Sequence, residues 1–333
     1  MIVTVGIKAL NEEAHIAASL ASACEAVAPL GGEVILADCG STDRTVEIAR
    51  DYPVRILQLS DPAQKSCGTG AQLAFQEARG DFFYLLDGDM VLKPGFLSEA
   101  IAYLRAHPEC AGVGGRVCEA DTSSIEFEMR ARLNDAQASS AGGEVDRLDC
   151  GGLYRAEAIR SVGHFADRNL HAFEEFELAA RLRAKGWKLA RIPVDSVDHF
   201  GHAVEGPRLL LRRVATGYAG GAGEAVRAAI GRPHLSYVIR DFSQLRFGLA
   251  MWAWWLVLLT TLAEGQWAAF LLFLAVPVAY LAWRRGGLRL GAYSLVTWNV
   301  TAIGLAQGLL RRRRPTREPI PCRDLSARPG ALP

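Results

Sequence analysis

The sequence predicts an α/β fold with a mostly parallel central sheet, followed by helices of membrane length, and three observations carry that expectation. Short apolar strands alternate with helical segments from Ile2 to Ile192, the pattern of βαβ units. The stretch Phe82-Phe83-Tyr84-Leu85-Leu86 is apolar throughout, as in a strand buried on both faces, and it ends in Asp87-Gly88-Asp89. Two charge-free apolar segments, 247–263 and 267–283, stand near the C-terminus.

Taken in order, residues 2–8 read as a strand. Asn11 stands where a helix N-cap would, with Glu12 and Glu13 in a first turn that the helix dipole favours. Residues 33–38 form the next strand, and Cys39-Gly40-Ser41-Thr42-Asp43 is a turn that caps a helix running through Ile48. A third strand covers 54–59, a helix runs from about Gly70 to Arg79 into the central strand, and Pro94 opens another helix at its first turn. From Glu119 to Asp149 small and polar residues predict a short helix and a lid-like loop. Cys150 to Arg155 restores order, a helix follows over 156–162, and residues 173–182 have helical spacing with Phe173, Phe176, Leu178 and Leu182 able to face a core. Gly186 stops that helix, and a last strand covers 187–192 before Pro193.

The chain carries 37 basic and 36 acidic residues, so overall charge gives no reason to expect nucleic acid as a partner. Seven cysteines without a CxxC pair argue against a disulfide framework or a zinc site and for a reducing compartment. The start at Ile2-Val3-Thr4-Val5 reaches Glu12-Glu13 without the basic leader and longer apolar core of a signal peptide, which puts the N-terminal domain in the cytosol.

Asp87 and Asp89 stand at the carboxyl end of a buried strand, where open α/β sheets bind ligands. Two carboxylates so close repel unless a cation lies between them. Hard oxygen ligands of this kind suit Mg²⁺ or Mn²⁺ shared with substrate phosphates, while an ordinary strand-to-turn exit is the competing explanation.

Four motifs in order then resemble family 2 of the glycosyltransferases, which has a GT-A fold with a Rossmann-like sheet. They are Asn11-Glu12, Asp38 with Gly40-Ser41-Thr42-Asp43, Asp87-Gly88-Asp89, and Glu174-Glu175-Phe176-Glu177-Leu178 after a Gly-Gly segment. The resemblance covers roughly residues 1–200. It implies that Glu12 and Asp38 hold the base and ribose of a nucleotide sugar, that Asp87 and Asp89 hold the ribose and the metal on the diphosphate, and that Glu174-Glu175 supplies the catalytic base, with Glu175 the base itself. The sequence departs from the family at Lys8-Ala9-Leu10, where Pro-x-Tyr is usual, and at Ala71-Gln72 in place of Arg-Asn, which leaves Lys65 as the phosphate contact. Glu175 stands where Asp is usual. The implied reaction is direct displacement with inversion, because one carboxylate attends the acceptor side. His199 and His202 offer a further metal or diphosphate contact, or are two surface histidines of a loop. Asp38 could equally end a strand, Asn11 and Ser41 cap helices, and Glu174-Glu175 serve only as first-turn acids.

The apolar segments 247–263 and 267–283 are each about 25 Å long as helices and read as a hairpin, with Trp252, Trp254, Trp255, Trp267 and Trp283 as interfacial anchors. Residues 290–310 are less apolar and are expected to re-enter or lie flat rather than span. Arg208, Arg212, Arg213, Arg227 and Arg232 among apolar residues predict an interfacial platform for anionic lipid. The expected organisation is a GT-A domain over 1–205, an amphipathic segment over 206–244, membrane helices over 245–310, and a basic, Pro-rich tail over 311–333. The expected function is a multi-pass cell-membrane enzyme with its catalytic domain in the cytosol, moving a sugar from a nucleotide donor, with UDP favoured, to a lipid, lipid-linked or polysaccharide acceptor. A catalytically inactive nucleotide-binding scaffold and a sugar nucleotidyltransferase are the alternatives.

Overall fold

A computed structural model of the chain describes residues 2–120, 142–148, 151–201 and 206–326. The expected helix and lid within 119–149 fall for the most part outside the described residues, as does His202. The chain divides into two compact units, residues 1–204 with 313–333, and residues 205–312.

The first unit is built on a mixed sheet. Strands β1 (Val3–Ala9), β2 (Glu33–Asp38), β3 (Arg55–Leu59) and β4 (Phe82–Asp87) lie side by side in the order β3-β2-β1-β4, all parallel. Helices α1 (Ile16–Val27), α2 (Thr45–Ala49) and α3 (Cys67–Gln76) connect them. A second half follows: β5 (Met90–Leu92), α4 (Phe96–Ala106), β6 (Cys110–Glu119), β7 (Gly143–Glu144), β8 (Gly152–Arg155), α5 (Ala156–Ser161), α6 (Glu174–Ala184) and β9 (Lys188–His199). It extends the sheet through antiparallel β4–β8, β8–β6 and β9–β5 pairs and a parallel β6–β9 pair.

Alternation along the strands builds two cores. Val3, Val5 and Ile7 of β1 pack with Ile16, Leu20 and Ala23 of α1 on one face. Phe83 and Leu85 of β4 pack with Ala71 and Ala74 of α3 and with Leu178 and Leu182 of α6 on the other. Gly6 has no side chain because α3 leaves no room: a Cβ there would lie 2.7 Å from that of Ala74 and 2.8 Å from the Phe83 ring.

Three local expectations are corrected. Asn11 is not an N-cap: it takes a left-handed conformation at φ 60°, its Oδ1 accepts from the Thr42 amide at 2.8 Å, and α1 begins later, after His15. Helix α3 begins before Gly70, because the Ser66 hydroxyl accepts from the Thr69 amide at 2.9 Å and caps it. The last strand does not stop at Pro193 but runs through it to His199. Pro193 falls in an irregular part of the ladder between the Gly114–Arg191 and Arg116–Asp195 pairings, where a missing N–H is tolerated.

The C-terminal segment also differs from a plain tail. Strand β10 (Cys322–Asp324) pairs antiparallel with β3 and covers what would be an open sheet edge. The Ile320 amide donates to Gln76 Oε1 at 2.7 Å, the Arg314 amide donates to Asn169 Oδ1 at 2.7 Å, and Arg313 pairs with the buried Asp167.

The second unit holds α7 (Gly206–Ala215), α8 (Gly221–Ala229), α9 (Leu235–Asp241), α10 (Ser243–Ala263), α11 (Trp267–Arg285) and α12 (Leu288–Leu310). Among the described helices, α10 and α11 are long and apolar enough to cross a membrane. Their Leu256, Leu259, Leu271 and Leu272 point outward. Three of the expected tryptophan anchors instead tie helices together: Trp252 donates to Ala302 O, Trp254 to Phe273 O, and Trp255 to Asn299 Oδ1, each at 2.9–3.0 Å. Trp267 and Trp283 remain exposed. Helix α12 packs backbone to backbone on α8, and Arg227 caps its end by donating to Leu309 O at 2.7 Å.

One buried ion pair in the first unit has a measurable consequence. Arg181 donates to both carboxylate oxygens of Glu177, at 2.8 and 2.9 Å, and to the carbonyls of His164 and Phe165 at 2.6 and 2.8 Å. Both side chains are buried. Arg181→Met removes these bonds from the buried Glu177 and from those carbonyls, so denaturant unfolding should show a loss of about 3–5 kcal/mol. A loss below about 1 kcal/mol would contradict this account.

Candidate active site

The parallel register places the site. Moving out from β1, the chain lays β2 and β3 to one side and β4 to the other, so the gap between β1 and β4 is the topological switch point. There Lys8 of β1 is the register partner of Asp87 of β4, and Ala9 is the partner of Asp38 on the other side. Lys8 Nζ lies 3.2 Å from Asp87 Oδ1 and 2.6 Å from Glu174 Oε1. Burial alone would lower the lysine, but Asp87 and Glu174 outweigh it and hold Lys8 well above its ordinary value. Burial raises the Asp87 carboxyl, with Lys8 opposing and Asp89 and Glu174 adding.

Glu174 is the first residue of α6 and is buried; Glu175 beside it is half-buried. The residue before them, Phe173, has φ 67°. A bulky side chain in that region costs on the order of 1–3 kcal/mol and persists where its surroundings over-determine it. Among the described residues the other non-glycine with positive φ is Asn11, at the end of β1. Both strained positions therefore border the crevice that Lys8 floors.

Asp89 reaches a different partner. Because β5 pairs antiparallel with β9, with Met90 opposite His199, the histidine ring comes to the end of Asp87-Gly88-Asp89. His199 Nε2 lies 3.5 Å from Asp89 Oδ2, and Nδ1 lies 2.7 Å from Glu119 Oε2. Burial lowers the imidazole, but the hydrogen bonds to Asp89 and Glu119 outweigh it and push His199 up to about 9.

This donor set fits a divalent cation. Glu119, accepting from Nδ1–H, orients the ring so that Nε2, on giving up its proton, would be the metal-facing nitrogen, the usual support of a metal-bound histidine. Among the described residues no three His, Cys, Asp or Glu side chains form a closed metal cage. An open site of one carboxylate and one imidazole suits an ion whose remaining positions go to water and substrate phosphates.

The other expected residues lie along the same edge with distinct partners. Asp38 is fully buried, and its carboxylate accepts from the Gly40 and Ser41 amides at 3.0–3.2 Å and from Gln58 Nε2 at 2.9 Å, which builds the turn after β2. Gly88 is small because Glu12 lies over it: a Cβ there would meet Glu12 Cγ at 2.8 Å. Lys65 is exposed just past the Pro62–Gln64 turn and, among the described residues, has no ion pair. Gln72, at the usual Asn position, accepts from the Phe165 and Ala166 amides at 2.9 and 3.2 Å and so fixes the loop ahead of α6. Sequence reasoning missed Lys8 and Glu119. A charged residue inside the apolar run Val3–Ala9 was a signal for Lys8; nothing in the sequence marked Glu119.

The fold and site together define a GT-A domain, in which the sheet presents acidic groups at its switch point. Residues 4–163 match the family model "Glycosyl transferase family 2", and the chain therefore carries a domain of glycosyltransferase family 2. It is 26% identical over 207 residues to the succinoglycan biosynthesis protein ExoA of Rhizobium meliloti (strain 1021), covering 59% of this chain and 62% of ExoA. It is 27% identical over 164 residues to the putative glycosyltransferase EpsE of Bacillus subtilis (strain 168), covering 47% of this chain and 58% of EpsE. The chain thus spans less than two thirds of the length of these curated relatives. In fold it is similar to S. aureus TarS residues 1–349, with TM-score 0.52 and 16% identity over 92% of this chain and 91% of that one. TarS has also been solved in complex with UDP-GlcNAc.

Cys39 sits at this edge and is buried. Burial first, with Asp38 adding and Lys8 and Lys65 opposing, pushes its thiol from 9.0 up to about 12. The thiolate is then scarcer by about a thousandfold than for an ordinary thiol. Alkylation of Cys39 by iodoacetamide at pH 8, followed by mass spectrometry, should be slower in the folded chain by that order than in the unfolded chain, and should rise about tenfold per pH unit. Equal rates in both states would show that Cys39 is open to solvent.

Proposed function

We propose that this chain is an inverting, metal-dependent glycosyltransferase that moves a sugar from a nucleotide sugar to a lipid, lipid-linked or polysaccharide acceptor at the cytosolic face of a membrane. The observation that carries the reading is the convergence of Asp87, Asp89, His199 and the Glu174-Glu175 pair at one switch point. Asp89 and His199 would hold Mg²⁺ or Mn²⁺, which supplies Lewis-acid stabilisation to a departing diphosphate. Asp87 faces the ribose side, and Glu12, Asp38 and Lys65 border the nucleotide. Glu174 pairs with Lys8, and Glu175, the next residue of the acidic pair, would take the proton of the acceptor hydroxyl. The UDP-GlcNAc complex of TarS supports a uridine-linked donor, and the name of ExoA supports a glycan product.

The membrane part of the proposal rests on α10 and α11 and on the amphipathic stretch before them, where Leu211, Val214, Ile230 and Ile239 are exposed beside Arg208, Arg212 and Arg232. Connectivity supports a reading with an even number of crossings. The chain leaves the catalytic unit after residue 204 and rejoins it at residue 313, so it crosses an even number of times. Helices α10 and α11 make those two crossings, and α12 does not span. Arg313 and Arg314 then belong to the catalytic unit, with Arg311 and Arg312 next to them in sequence, as the preference of arginine for the cytosolic side requires.

Two measurements test this. Purified full-length chain screened against nucleotide sugars should release nucleoside diphosphate in a chelator-sensitive manner. Asp89→Asn should lose metal-dependent donor binding, and Glu175→Gln should lower turnover by about 10²–10⁴ with donor affinity little changed. Full transfer in excess chelator would overturn the metal role, and a larger loss in Glu174→Gln would move the base to that residue. For topology, all seven native cysteines belong to the catalytic unit. A membrane-impermeant thiol reagent on intact cells should label Gln266→Cys but neither the wild type nor Arg314→Cys. Labelling of Arg314→Cys with a silent wild type would establish three spans.

A further inference from the structure

The strand that floors the site carries a lysine where the resembling family carries proline, and its ammonium lies between two carboxylates. Lys8 projects from the same face of β1 as Gly6, toward α3 and α6, and its neighbours in register and in space are acidic. Asp87 lies 3.2 Å away and Glu174 2.6 Å away, and the charge of Glu175 also reaches it. Asp87 belongs to the donor strand, and Glu174 opens the helix that bears the proposed base. A site that collects these carboxylates repels itself unless a cation stands between them. A second divalent ion is one solution; a covalently attached ammonium is another.

We propose that Lys8 is a positioning residue, a fixed internal counter-ion between Asp87 and Glu174 that ties the acidic end of α6 to the donor strand and takes the place of a second divalent cation. The inference rests on the functional reading given above for the same site. It explains why Glu174 is tolerated in a buried position: its charge is matched by a partner that no change of substrate removes. It also separates the two halves of the Asp-Gly-Asp motif, Asp87 facing an ammonium and Asp89 facing His199.

Mn²⁺ bound per full-length chain, counted in the presence of UDP, tests the counter-ion. The wild type and Lys8→Arg should hold one equivalent, Lys8→Met two, and Lys8→Met/Glu174→Gln one again. A Lys8→Met chain that binds UDP like the wild type and still holds a single Mn²⁺ overturns the proposal. Hydrogen exchange tests the tie and serves if Lys8→Met does not fold. Amides in the first turn of α6 should exchange at least tenfold faster in Glu174→Gln than in the wild type, and unchanged exchange there refutes the tie. A wild type that binds neither Mn²⁺ nor UDP refutes the functional reading instead, and the exchange measurement then still decides the role of Lys8.

Discussion

The structure of the catalytic unit depends on one ion-paired contact at the switch point of its sheet. Parallel pairing of β1 and β4 sets Lys8 beside Asp87, and the ammonium reaches on to Glu174 at the start of α6. Around it the backbone accepts strain at Asn11 and Phe173, glycine at positions 6 and 88 makes room for α3 and Glu12, and Gln72 fixes the loop that leads to the helix. Gly88 and Lys8 border the acidic groups directly, with Glu12 over the glycine and Asp87 and Glu174 on the ammonium. The energy for this comes from the two cores on either side of the sheet, where ring contacts such as Phe83 with Phe165, at 5.0 Å between centroids, hold the layers in place.

A second constraint is the return of the chain. After α12 the polypeptide re-enters the catalytic unit, where Arg313 pairs with Asp167, Arg168 donates to Glu318 O at 3.1 Å, and β10 closes the sheet edge at β3. The same segment touches the loop of residues 163–170, which precedes the acidic helix. Within the second unit, Arg311 pairs with the buried Glu224, and Arg227 caps the end of α12. Within the run of four arginines, Arg311 and Arg313 thus take distinct acidic partners.

Much of this was legible in the sequence, for physical reasons. Strand and helix periodicity, the apolar run into Asp87-Gly88-Asp89, and the two charge-free helices are local patterns, since burial imposes them wherever the chain folds. The order of four acidic and turn motifs located the acidic edge of the sheet and the acidic helix. What failed locally failed for a tertiary reason. Asn11 carries the composition of a cap but is held in a left-handed turn by Thr42, and Pro193 carries the composition of a strand end but falls where the β6–β9 ladder is irregular. Arg227 and three of the tryptophans match lipid-facing types yet bond to neighbouring helices, because a polar group in an apolar unit takes the nearest acceptor.

By itself, then, the sequence determined the class of fold, the identity of the acidic groups and the two helices able to cross a membrane, all properties of residue type and short-range spacing. Tertiary structure alone decided which charges meet. Strand register made Lys8 the partner of Asp87, an antiparallel pair brought His199 to Asp89, and the re-entry of residues 313–326 fixed both ends of the helical unit to one domain. These are contacts between residues far apart in the chain, where the energy depends on distance in space and no local pattern records it.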